Sequence, residues 1–187
     1  MNKRGFTLIE LMMSMFIGLL ILGGMVTFFV SQSRTYTAHT IQIDTLQEAR
    51  SVMRILLTDI RLAGYKKYGA SFNGIAAATD KSIRILADLD QDGLTTGSNE
   101  DITITYNPNT AILTRNSDVL CENASNMSFS YMLADGSVTS APTDLTQIRE
   151  ITLNLSIRSR LIDPTTMTYK VFDLNSNITP RNLAYGG

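Results

Sequence analysis

This 187-residue sequence predicts an α+β fold: one long N-terminal helix followed by a mostly antiparallel sheet. Three observations carry that reading. Residues 8–30 are an almost unbroken apolar run, and residues 31–63 keep apolar positions at helical spacing. From about residue 75 the pattern changes to alternation. The length suits one head with its own core plus one additional long element, not two ordinary domains.

The run LIELMMSMFIGLLILGGMVTFFV holds Glu10 as its only charged side chain. About 20 apolar helical residues cross a bilayer core, so the run is long enough to span. Lys3 and Arg4 precede it, which by the positive-inside rule keeps the N-terminus cytoplasmic and sends the remainder outward. A secretory signal has a shorter apolar region, about 7–15 residues, ending at a small-residue cleavage site. Beyond this run SQSRTYTAHT offers only Ala38, so a cut there is not expected. Glu10 is the oddity, because a carboxylate in hydrocarbon costs a few kcal/mol and demands a partner. Its place near the cytoplasmic end also lets it snorkel to the interface, and on this residue alone both readings stay open. Gly18, Gly23 and Gly24 each weaken a helix interior by up to about 1 kcal/mol. They permit local unwinding or, equally, close helix packing through a small surface.

Past Val30 the composition turns polar while Ile43, Leu46, Ala49, Met53, Leu56, Leu57 and Ile60 recur three or four residues apart. The spacing predicts a continuing amphipathic helix whose stripe is covered by a single sheet. Gly64 is the expected stop, with Arg61 before it and Lys66 and Lys67 after it, at the negative end of the helix dipole. The helix is thus expected from 6 to 63, about 85 Å long. Strands are read at 82–88, 101–107, 111–116, 127–133, 149–161 and 167–174. Asn107-Pro108-Asn109 and Ala134-Asp135-Gly136-Ser137 supply hairpin turns.

Sixteen Lys and Arg balance seventeen Asp and Glu, for a formal charge of −1, and no basic stripe is interleaved with aromatics. Nucleic-acid binding is therefore not expected. Cys121 is the single cysteine, which excludes an intramolecular disulfide and a thiolate zinc cluster but leaves a bridge to another chain open. His39, the single histidine, falls between the apolar run and the head and is expected to be solvated. With no phosphate loop, serine elbow or His-Glu metal motif, the chain is not expected to be an enzyme.

Residues 80–122 hold eight acidic and three basic side chains, a balance that attracts cations. Within them, Asp88-Leu89-Asp90-Gln91-Asp92-Gly93 repeats the opening of an EF-hand loop, with oxygen ligands at alternate positions and a glycine for the sharp turn. The twelfth position is Asn99 rather than a bidentate Glu, with Glu100 and Asp101 next, and no helices flank the loop, so this is not an EF-hand. Two readings stay open. One is a Ca²⁺ site drawn from Asp88, Asp90, Asp92, Asn99, Glu100 and Asp101; the other is a solvated turn built on Asp and Gly chemistry.

Lys3-Arg4-Gly5-Phe6-Thr7-Leu8-Ile9-Glu10 closely resembles the class III signal of type IV pilins and type II secretion pseudopilins. The resemblance implies a prepilin peptidase cut between Gly5 and Phe6, methylation of Phe6, and a role for Glu10 as the fifth residue of the mature chain. There it would pair with the amine of Phe6 on a neighbouring subunit, relieving two charges in a dry filament core. Asp59-Ile60-Arg61-Leu62-Ala63-Gly64-Tyr65 resembles the helix end of PilW-type minor pilins, and Pro180-Arg181-Asn182-Leu183 resembles their C-terminal signature. Across residues 66–175 the resemblance is one of architecture.

The implied organisation is a leader over 1–5, a transmembrane helix over 6–30, an amphipathic spine over 31–64 and a periplasmic head over 65–187. The implied function is a minor pilin of the inner membrane, and then of a pilus or pseudopilus, that primes type IV pilus assembly. Its partners would be the prepilin peptidase, other minor pilins, the major pilin, the inner-membrane assembly platform and a pilus-tip adhesin. Two alternatives stand beside it. One is a J-type pseudopilin of a type II secretion system; the other is a membrane-anchored, calcium-dependent adhesin or binding module that never polymerises.

Overall fold

The structure, a computed structural model, describes residues 5–184. Of the expected leader only Gly5 falls within them; Lys3 and Arg4 lie outside the described residues. Helix α1 (Leu8–Leu62) is a single 55-residue element. It passes Gly18, Gly23 and Gly24 without interruption, and beyond the helix's own neighbouring backbone nothing lies within 4 Å of a Cβ built on any of the three. Thr27, Thr35, Thr37, Thr40, Thr45 and Thr58 each return a hydroxyl hydrogen bond to the carbonyl four residues earlier, which accommodates these poor helix formers. The helix stops where expected, with Gly64 at φ +75°, a conformation that costs glycine nothing.

Strands β1 (Ile75–Ala78), β2 (Ser82–Leu86), β3 (Asp101–Asn107), β4 (Ile112–Arg115) and β5 (Asp118–Cys121) form one antiparallel meander in chain order. Strands β6 (Ala124–Leu133), β7 (Val138–Thr139), β8 (Ile148–Ile162) and β9 (Tyr169–Ile178) form a second antiparallel sheet in the order β7-β6-β8-β9. Two sheets thus replace the single sheet expected. They are fastened where Phe129 donates its backbone N–H to the Asp80 carbonyl (2.8 Å) and the Tyr131 hydroxyl donates to the Thr79 carbonyl (2.8 Å). The expected hairpin turns at 107–109 and 134–137 do join β3 to β4 and β6 to β7. Strands β1, β5 and β7 fall outside the expected set because β7 has two residues and the four-residue β1 (IAAA) and β5 (DVLC) do not alternate polar with apolar.

Both sheets pack on the second half of α1. Ala49, Val52, Met53, Leu56 and Ile60 meet Ile83, Ile85, Ile104, Leu113, Phe129, Tyr131, Leu153 and Leu155 in one core. The stripe starts in a different phase from the expected one. Ile43 is 54% exposed, whereas Ile41 and Thr45 are buried. Two residues on from Ile41 is about 200° around the helix, so Ile43 faces away.

Two polar clamps supplement the apolar face. Asp59, 6% exposed, receives both Nε (2.8 Å) and Nη2 (3.2 Å) of Arg115 on β4. Glu48 receives Nη2 of Arg160 (2.9 Å) and Nδ2 of Asn123 (3.2 Å). At the other end of the head, the turn between β8 and β9 brings Pro164 and Thr165 back beside Val26, Val30, Ser31 and Arg34 of the helix.

Candidate functional site

At the N-terminal end, Thr7 is the N-cap of α1, with extended backbone at φ −78° and ψ 152°. The Glu10 carboxylate reaches back to accept from the Thr7 backbone N–H (2.9 Å) and hydroxyl (2.8 Å), while Glu10 N–H donates to Thr7 Oγ1 (3.4 Å). This is a reciprocal capping box, and the sequence carries its signature, Thr-x-x-Glu just before an apolar run. The costly carboxylate therefore has partners within its own chain. From Phe6 to Val30 the side chains stand exposed apart from Gly18, and α1 is long and apolar enough to cross a membrane.

The two short motifs at the helix end and the C-terminus meet in space, which their separation in sequence conceals. A Cβ on Gly64 would lie 3.1 Å from Leu183 Cδ2 and 3.4 Å from Asn182 Cβ, and one on Gly74 would lie 2.2 Å from the Gly64 nitrogen. A short helix α2 (Arg181–Ala184) brings Leu183 there, and Leu183 packs on the core. Asp59, the first residue of the helix-end motif, is the carboxylate clamped by Arg115. That hydrogen bond holds the Arg115 guanidinium above its ordinary value.

The acidic loop joins β2 to β3, and the structure sorts its six candidate ligands into two groups. One carboxylate oxygen from each of Asp88, Asp90 and Glu100 lies within 4.8 Å of the others. Asp88 and Glu100 are buried and Asp90 is exposed. Glu100 accepts backbone N–H bonds from Leu89 (2.6 Å), Asp90 (3.2 Å) and Gly97 (2.6 Å). Burial and the nearby Asp88 push its carboxyl up, but these three donors outweigh them and hold it below the ordinary value.

The other three candidates are engaged elsewhere. Asp101 forms a bidentate pair with Arg84 (2.9 and 2.5 Å), whose hydrogen bond holds the Asp101 carboxyl low. Asn99 offers its side-chain oxygen to Nη1 of Arg115 (2.9 Å), and Asp92 caps Leu94 N–H (2.7 Å). Alternation along the sequence predicted ligands by position. The backbone turn and two arginines separate the three that converge from the three held elsewhere.

Cys121 is buried, donates to Asn123 Oδ1 (3.0 Å), and has its thiol pushed up by burial. Buried in this way, the thiol is not presented by the folded head for the bridge to another chain that the sequence leaves open. His39 is exposed on α1.

The family model described as the prokaryotic N-terminal methylation motif matches residues 1–26. No curated protein and no solved structure matches the chain. The motif implies processing by a prepilin peptidase, and the matched segment supplies the first turns of α1, around whose far half both sheets fold. The motif marks a type IV pilin-like protein, and the long N-terminal helix with its antiparallel head fits a pilin.

Proposed function

We propose that this protein is a minor pilin that joins other minor pilins in a priming or tip complex in the inner membrane, helping the major pilin begin to polymerise. It works by assembly rather than catalysis. The observation that carries the reading is the first half of α1, whose apolar surface is left uncovered by its own head and ends in a carboxylate at the first turn.

In this reading the peptidase cuts between Gly5 and Phe6 and Phe6 is methylated, placing a new amine beside the capping box. The box keeps Glu10 hydrogen-bonded in the lone subunit. On docking, the carboxylate exchanges part of that intrachain bonding for the Phe6 amine of a neighbour, a charge pair favoured in a dry core. Head-to-tail packing of such helices does not close on itself and so extends a filament. Glu10→Ala is expected to be processed to a chain starting at methylated Phe6, yet to be missing from sheared filaments. Normal incorporation of this variant would sink the pairing role.

A J-type pseudopilin of a type II secretion system uses the same assembly step. The contact between Gly64 and Leu183, which joins the two motifs shared by that branch, supports it as well. Co-purification with a pilus-tip adhesin favours the pilus, and with a secretin-bound exported protein the secretion system. An uncut N-terminus, retaining Met1 to Gly5 in native membranes, would instead support a binding module that does not polymerise.

A further inference from the structure

The loop between β2 and β3 contains a charge arrangement that hydrogen bonding leaves incomplete. Asp88 is fully buried; its Oδ2 accepts the backbone N–H groups of Lys67 and Gly93 (3.1 Å each), but the buried Oδ1 accepts none. A buried acceptor without a donor is costly, and here it belongs to a carboxylate packed within 4.8 Å of two more. Arg84 and Arg115 do not neutralise the group, because Asp101 holds the first and Asp59 with Asn99 the second.

We propose that Asp88, Asp90 and Glu100 form a calcium site. A hard cation takes oxygen ligands, and Ca²⁺ accepts six to eight of them in flexible geometry, where Mg²⁺ demands a near-ideal octahedron. Asp88 Oδ1 supplies the ligand that nothing else satisfies, and exposed Asp90 opens the site to solvent ions and water. The site also fastens the helix exit. The Asp88 backbone N–H donates to the Tyr65 carbonyl (2.7 Å) and its side chain holds Lys67 N–H, so a bound cation ties the loop to the segment just after α1. None of this depends on the assembly reading.

Calorimetric titration of CaCl₂ into the full chain in detergent is expected to show one site per chain. At a hundredfold excess over Kd the melting temperature is expected to rise by about 5 °C. Asp90→Asn weakens binding at least tenfold, whereas Asp92→Asn leaves it unchanged. Asp88→Asn abolishes the calcium-induced rise while the calcium-free protein melts at the same or a higher temperature, because a buried charge is gone. The absence of both heat and a melting shift at about 10 mM CaCl₂, beyond the weakest range for such sites, would overturn the proposal. So would equal affinity in Asp90→Asn, or an equal loss in Asp92→Asn.

A separate observation concerns the tip of the β8–β9 hairpin. Leu161, Ile162, Met167, Tyr169 and Val171 are between 45% and 75% exposed there, on a turn that sits level with Val26, Val30 and Ser31, where the apolar run of α1 ends. The turn is braced: Asp163 accepts from Thr165 N–H (2.7 Å) and its hydroxyl (2.6 Å) and pairs with Lys170 Nζ (2.9 Å). We infer that this tip rests in the lipid interface on the head side of the bilayer, beside its own anchor. The inference rests on residues 8–30 spanning that bilayer, and the occupant follows from continuity with the anchor.

The chain contains no tryptophan, so Met167→Trp and Phe29→Trp each introduce a single fluorescent reporter. In phosphatidylcholine vesicles with brominated acyl chains, both are expected to be quenched at any protein-to-lipid ratio. Quenching at 29 without quenching at 167 would overturn the docking alone. No quenching at either would overturn the span, and with it the docking. A blue shift at 167 that disappears on dilution with lipid would mean that a second copy covers the tip, and would also overturn the docking.

Discussion

Helix α1 places one backbone geometry in two settings, and the contrast between its halves shows what each is for. From Leu8 to Val30 the apolar side chains circle the whole helix and are exposed. From Ile41 to Ile60 most of them occupy one stripe, with Ile43 and Ile55 off it, and that stripe is buried, much of it completely. A helix that is hydrophobic all round needs an apolar surrounding, whereas a striped one needs a single apolar surface. The first half is therefore incomplete without lipid or other subunits. The second is complete within its own chain.

Four substitutions and one change of pH can break or sharpen that contrast. The largest effect is expected from Asp59→Ala, which strands Arg115 beside the buried end of α1; removing one partner of a buried pair costs about 3–5 kcal/mol. Chemical denaturation of the head measures it, and a loss below 1 kcal/mol would mean the clamp is dispensable. Leu56→Ala, at a side chain with no exposure, is expected to cost about 3 kcal/mol. The same change at Leu20, in the first half, should leave head unfolding within about 0.5 kcal/mol of the unaltered chain. Equal effects at both positions would erase the distinction between the halves.

Gly74→Ala tests the joint beyond the second half. Its new methyl would meet backbone rather than a flexible side chain, and overpacking of that kind costs about 1–3 kcal/mol. An unchanged melting temperature would show that this contact relaxes freely.

Acid should act on the head alone and most gently. The carboxyls of Glu100, Asp101, Asp135, Asp144 and Asp163 are all held below their ordinary values, Glu100 by backbone donors against its burial and the rest chiefly by side-chain hydrogen bonds. For groups with depressed values the stabilisation is complete above the unfolded range and is lost as pH falls through the folded one. The head's melting temperature should therefore hold steady down to about pH 4.5 and decline below it. A rise in that interval would contradict the sign of all five shifts.

Much of the fold was legible because its signals are periodic. Apolar length marked the anchor, three-four spacing marked the spine, and alternation found six of the nine strands. The candidate ligands in the acidic loop were harder to rank, since Asp92 and Asp101 resemble Asp88 in type and spacing. Only their partners separate them: Leu94 N–H holds one and Arg84 the other, while Asp88 keeps an unsatisfied oxygen. Asp59 likewise reads as an ordinary polar residue near a helix end, and its burial follows from Arg115, 56 positions further on.

By itself the sequence determined the membrane-length helix, its stop at Gly64 and the antiparallel character of the head, because these depend on hydrophobic period and local backbone freedom. The tertiary structure alone decided that there are two sheets, that the stripe begins at Ile41, and that three acidic residues converge. It also decided that Gly64 and Leu183 touch. Each of these depends on which distant groups become neighbours once the chain has collapsed, and no local pattern records that.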